Sequence, residues 1–267
     1  MTIAISASLV KELRDATGAP MMDCKRALQD ADGDIEAAKR LLRERGMASA
    51  AKRAGRATSE GIVLLKTGDG KGSLVAIGCE TEPVSKNDEF RAFAERVLEA
   101  AYSTDMGQKI DELDHERNSL IAKIGENIAI VGTATFEAVD GGVIEGYVHP
   151  PANKLGVLVQ TRGGSSEFAR KLAMHIAASA PQWIAREDVP ENTVTQEREI
   201  YAGSDEVQSK PEQARDKIVE GMLNKRFFGA SVLVDQEWIH DSSKKVGEVL
   251  ADEGTEVLEF ERFSVAG

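Results

Sequence analysis

A pattern that occurs twice sets the terms on which this chain can fold. Glu60-Gly61-Ile62-Val63 is echoed by Glu145-Gly146-Tyr147-Val148, and Leu74-Val75-Ala76-Ile77 by Val157-Leu158-Val159-Gln160. In the first copy Ile62-Val63-Leu64-Leu65 is an apolar, β-branched run, Gly68-Asp69-Gly70-Lys71-Gly72 turns the chain, and the second run returns as a hairpin. Each pair precedes an amphipathic helix. The first starts at Asn87 or Asp88 and buries Phe90, Ala94, Val97, Leu98 and Ala101; the second spans about Ser166 to Ala180. A further helix over Ile110–Ile124 and a strand over Asn127–Phe136 complete the first copy. Residues 57–139 and 140–267 thus read as two copies of one α+β unit, each a small antiparallel sheet with helices on one face. The second copy is interrupted by a charged helical insertion, Gln196 to Asn224, ahead of strands expected near Ala230–Val234 and Val257–Phe263.

Residues 1–56 have a helical period throughout. Leu9, Leu13 and Ala16 line one helix that Gly18 stops, and Cys24, Ala27, Leu28 and Ala31 line a second that starts at Pro20. Asp34 caps a third, with Ile35, Ala38 and Leu42 inward and Gly46 expected to end it. A link from Met47 to Ser59 follows. Between Lys39 and Arg56 there are seven basic residues against one acid, Glu44. Such a run reads either as a solvated face or as an electrostatic contact with an acidic protein or RNA.

Composition narrows the function. The 267 residues carry a formal net charge of −12, which argues against nucleic acid as the main partner. Cys24 and Cys79 are the only cysteines, so a disulfide scaffold is excluded and a cytosolic home is expected. No apolar run approaches a membrane span, and the N-terminus lacks the layout of a signal peptide. The 68–72 turn lacks the glycine spacing and Gly-Lys-Ser/Thr ending of a phosphate loop, no Gly-x-Ser-x-Gly elbow occurs, and His115, His149, His175 and His240 show no metal-ligand spacing. No enzymatic activity and no cofactor are expected.

Four places stand out. Met21 lies at the edge of its helix's inner stripe and Met22 almost opposite it. An exposed thioether suits a protein-binding surface, although a Met tucked under a neighbouring helix is equally open. Cys79-Glu80-Thr81-Glu82-Pro83-Val84 leaves the hairpin. Pro83 is expected to hold Glu82 extended, either as a plain strand exit or as a rigid tip presenting a carboxylate and a small apolar ring. His149-Pro150-Pro151-Ala152-Asn153-Lys154 is a stiff turn with an exposed imidazole. His175 lies on an apolar stripe with Phe168, Leu172 and Ser179, the usual placement of a satisfied, partly buried histidine.

Taken together, these segments resemble the elongation factor Ts family. The resemblance is carried in family order by Val10–Lys25, Gly33-Asp34-Ile35-Glu36-Ala37-Ala38, Cys79–Asn87, Tyr147-Val148-His149 and Ala173-Met174-His175-Ile176-Ala177-Ala178-Ser179. It implies an N-terminal ubiquitin-associated-like three-helix domain and a guanine nucleotide exchange factor for elongation factor Tu. It further implies that Thr81, Glu82, Pro83 and Val84 disturb the partner's magnesium site, with Met21, Met22, His149 and His175 as further partner contacts. The insertion would form a helical hairpin that can support a homodimer, and a C-terminal extension seen in some members has no counterpart expected after Phe263. The family pattern is Thr-Asp-Phe-Val. Here Pro83 replaces the aromatic ring and Glu82 is a methylene longer, so exchange is expected to lean less on this loop and more on other contacts. A Tu-binding paralogue with weak or lost exchange, and an RNA-associated translation factor, are the alternatives.

Overall fold

The computed structural model describes residues 5–103, 106–139 and 141–265. Three helices come first: α1 (Ala7–Thr17), α2 (Met21–Asp30) and α3 (Ile35–Arg53). Gly18 ends α1 in the left-handed conformation, and Asp34 caps α3 by accepting from the Ala37 amide. Val10, Leu13, Cys24, Ala27, Leu28 and Ala38 form their shared core.

The expected stop at Gly46 is corrected: α3 runs through it to Arg53. Gly46 is buried, and a Cβ there would stand 3.3 Å from the Ala122 methyl. Its small size admits a helix from later in the chain, Met106–Ile124, and Ala50 one turn on lies in the next core. Close helix approach, rather than chain termination, explains this glycine.

The first sheet has the order β1-β2-β3, from β1 (Glu60–Gly68), β2 (Lys71–Cys79) and β3 (Ile128–Glu137), all antiparallel. A short helix α4 (Glu82–Ser85), then α5 (Asp88–Tyr102) and α6 (Met106–Ile124), follow β2. Phe90, Phe93, Val97 and Ile121 pack with Val75 and Ile77 on one face of the sheet. The second sheet has the order β4-β5-β8, from β4 (Gly142–Val148), β5 (Leu155–Arg162) and β8 (Glu256–Ser264). Helix α7 (Ser166–Ser179) covers its outer face through Phe168, Leu172 and Ile176. The inner faces meet through Val63, Leu74, Ala76, Phe136 and Leu158. The layers run helix, sheet, sheet, helix.

The register of the repeat differs from the sequence echo. Both sheets carry a bulge on the pairing of their middle strand, after Ala76 in one and after Gln160 in the other. Aligning the bulges matches Leu74 with Leu158, not Val157, and Gly72 with Gly156. In the partner strands it matches Ile62-Val63 with Val143-Ile144. A shift of one residue reverses every side chain. Leu74 and Leu158 indeed both face the neighbouring sheet, whereas Val157 faces α7.

The insertion comprises α8 (Glu191–Gly203), α9 (Asp205–Gln208) and α10 (Glu212–Met222), running into a π-helical turn over Leu223–Phe228. It begins five residues before the expected Gln196, and it closes on its own cluster of Val207, Val219, Met222 and Leu223. The strand expected over Ala230–Val234 is corrected. The chain there is α11 (Gly229–Ser231) and a 3-10 turn over Leu233–Asp235, and Val232 alone bridges to Trp183. A short apolar run is buried in a turn as readily as in a strand. A hairpin of β6 (Glu237–Trp238) and β7 (Asp241–Lys245), then α12 (Val246–Asp252), lead into β8.

Candidate partner-docking site

Strand β2 ends at Cys79, and the chain then turns outward. Thr81 is extended (φ −130°, ψ 152°) and α4 begins at Glu82. The expectation that Pro83 holds Glu82 extended is corrected: Glu82 is the first helical residue and the extended residue is Thr81. Proline costs nothing within the first turn, where its missing N–H would have had no intrahelical partner. Val84 is buried in the first core and anchors the turn, while Thr81, Glu82 and Pro83 are exposed. Ser85 Oγ donates to the Glu82 carbonyl at 2.7 Å. The Lys86 ammonium hydrogen-bonds to Glu82 at 2.8 Å and, with a smaller contribution from the charge of Lys154, holds its carboxyl below the usual range.

The turn is fastened from behind. The Thr81 amide donates to Glu126 Oε2 at 3.0 Å and its hydroxyl to Oε1 at 2.6 Å. Cys79 Sγ donates to the Thr81 carbonyl at 3.4 Å. Burial, then the charges of Glu126 and Glu60, push that thiol up to about 12, so it stays protonated. Beside it Glu80 accepts from the Asn127 amide at 2.6 Å and pairs with Arg56 at 3.3 Å, and Asn127 Nδ2 donates to the Arg56 carbonyl at 2.8 Å. Sequence reading missed Glu126 and Asn127. Their only local mark is Gly125 (φ +87°) between α6 and β3, which signals a helix end and not a contact with Thr81.

The His149–Lys154 turn lies close by. Lys154 pairs with Glu60 at the start of β1 at 2.5 Å, and the Val63 amide donates to the Asn153 carbonyl at 2.7 Å. His149 is exposed, and its Nδ1 lies 2.8 Å from the Tyr147 hydroxyl. His175 does not join this surface. It has no exposed area, and the Ile239 amide donates to its Nδ1 at 3.3 Å. Nε2 therefore carries the proton and donates to Gln236 Oε1 at 2.9 Å, while the ring stacks on Trp238 at 5.2 Å. Burial pushes its pKa below the ordinary value. As a partner contact His175 is corrected to a core residue, because its apolar stripe is the stripe that packs under Trp238.

Met21 and Met22 are 56% and 59% exposed. With Ile5 and Val10 they floor a groove of about 350 Å³, edged by Lys11, Arg14 and Lys25. The basic run over residues 39–56 is partly neutralised: Lys39 pairs with Glu36, Arg45 with Asp30 and Arg56 with Glu80. Among the described residues no group of three His, Cys, Asp or Glu side chains could hold a metal ion, and no helix is long and apolar enough to cross a membrane.

The α+β scaffold thus turns a carboxylate, an imidazole and a methionine-lined groove outward. A sequence model of the elongation factor TS family matches residues 80–267. The chain is 42% identical to elongation factor Ts of Idiomarina loihiensis over 275 residues, covering 98% of this chain and 91% of that one. It is 43% identical to elongation factor Ts of Teredinibacter turnerae, with the same coverage, and 42% to that of Pasteurella multocida, covering 98% and 92%. The chain belongs to the elongation factor Ts family of translation elongation factors.

Proposed function

We propose that this chain is a guanine nucleotide exchange factor for elongation factor Tu, acting in the cytoplasm by binding and not by covalent chemistry. The observation that carries the reading is the Thr81–Val84 turn, whose carboxylate is exposed while its base is fastened to the first core. A bound magnesium ion offsets phosphate charge, so a rigid group that disturbs its surroundings loosens GDP. Factor and nucleotide then weaken each other reciprocally, tenfold for every ~1.4 kcal/mol of coupling.

The three units 1–56, 57–139 and 140–267 divide the work in this reading. The Met21–Met22 groove docks a complementary apolar and acidic face of the partner. The turn reaches toward the nucleotide site, and the His149 loop contacts a distal part. The insertion offers a surface for a second copy. Pro83 is exposed but small, so the carboxylate of Glu82 carries what the loop contributes.

Release of fluorescent GDP from the cognate Tu, followed by stopped flow, tests this. Acceleration that saturates with added factor is expected. An unaltered release rate at saturating factor would sink it, and tight Tu binding with that outcome would favour the non-exchanging paralogue, the reading that the Glu82-Pro83 replacement motivates. RNA association is less supported, because several cations of the basic run are paired internally.

A further inference from the structure

We infer that Glu126 is a positioning residue for exchange: its carboxylate, 45 residues along the chain from Thr81, fixes the pose in which the turn presents Glu82. The inference rests on the exchange reading above and adds to it a residue that touches neither partner nor nucleotide.

Both oxygens of Glu126 are committed to one residue, Thr81, the hinge between β2 and α4. Thr81 is exposed, and water could satisfy its amide and hydroxyl equally well. The clasp therefore adds little to folding. What it does is remove freedom: with Oε2 on the amide and Oε1 on the hydroxyl, the Thr81 backbone and rotamer are both set, and the first residue of α4 follows. Assembling it places Glu60 and Glu126 near enough to raise the Cys79 thiol, a like-charge crowding that Lys154 on Glu60 and Arg56 on the neighbouring Glu80 offset. The adjacent Asn127 ties the same loop to the Arg56 carbonyl, so the link from the three-helix unit and the turn are held at one point. A preorganised group acts without the cost of being ordered on binding.

The test uses the full chain with cognate Tu carrying fluorescent GDP. Parent, Glu126→Gln, Glu126→Ala, Thr81→Val and the double variant Thr81→Val/Glu126→Ala are compared. In Glu126→Ala the limiting release rate should fall about tenfold, while the factor concentration giving half the limiting rate changes less than about twofold. Glu126→Gln, which keeps an acceptor and adds a donor for the Thr81 hydroxyl, should recover most of that loss. The double variant should be no slower than Glu126→Ala alone. In the free chain, amide hydrogen exchange at Thr81 should quicken about tenfold in Glu126→Ala, with the thermal midpoint unchanged. A parental limiting rate in Glu126→Ala, a loss confined to half-saturation, or unaltered Thr81 protection would each overturn the inference. If the parent itself fails to release GDP, the exchange reading falls and takes this role with it, and the hydrogen-exchange result still decides whether the clasp exists.

Discussion

The two sheets share a strand order, a bulge in the same place and a glycine at the same register, yet their middle strands leave differently. After β5 only Gly163, Gly164 and Ser165 intervene before α7, whereas after β2 the segment Glu80–Asn87 forms a helical turn before α5. The second sheet shows that the plan closes without such a turn. The extra segment in the first is therefore not demanded by the shared plan: it buries Val84 in the first core and leaves its acid and proline at the surface. The second half has its own addition elsewhere, in the helical insertion between α7 and β8.

If the two halves are equivalent as folded units, emptying either core should cost alike. Phe93→Ala in the first and Trp238→Ala in the second should each lower stability by about 3–5 kcal/mol in urea titrations. A large disparity would break the comparison. The matched glycines sharpen it. A Cβ on Gly72 would meet Ile144 Cγ2 at 2.5 Å, and one on Gly156 would meet Val63 Cγ1 at 2.6 Å. Alanine at either should cost about 1–3 kcal/mol through overpacking, and a null result at one alone would mean that the bulge alignment is misplaced.

A smaller effect separates the halves by pH. His175 is neutral in the fold, with its pKa lowered by burial, so an unfolded chain binds a proton that the folded chain refuses. Stability from this group is full above about pH 6.5 and declines as pH falls below it toward the depressed value. Thermal scans from pH 7.5 to 5.5 should show the slope, and a His175→Gln variant should flatten it. Smallest of all, Glu82→Ala and Pro83→Ala should leave the urea midpoint where it was, because neither side chain lies in a core. A clear loss there would mean that the turn is a structural part of the first half.

Periodicity was enough to read the three helices, both hairpins and the helix behind each, because each element repeats its pattern over several turns or pleats. It failed where one residue decides. Leu74 and Val157 look interchangeable as letters, and only the bulges show that they face opposite ways. Gly46 carries the same signature whether it stops a helix or admits another. Met21, Met22 and the exposed His149 were legible as surface candidates, and His175 as a core residue from its stripe, against the contact that family resemblance implied. Glu126 left no trace, since a carboxylate reaching across the fold to Thr81 has no local pattern.

Because α3 continues through Gly46 into the first core, its 19 residues make a rod about 28 Å long that is seated at its far end against α6. The three-helix unit is consequently not hung on a free tether: it shares one unbroken helix with the first core, so swinging that unit would have to bend the helix or part it from α6.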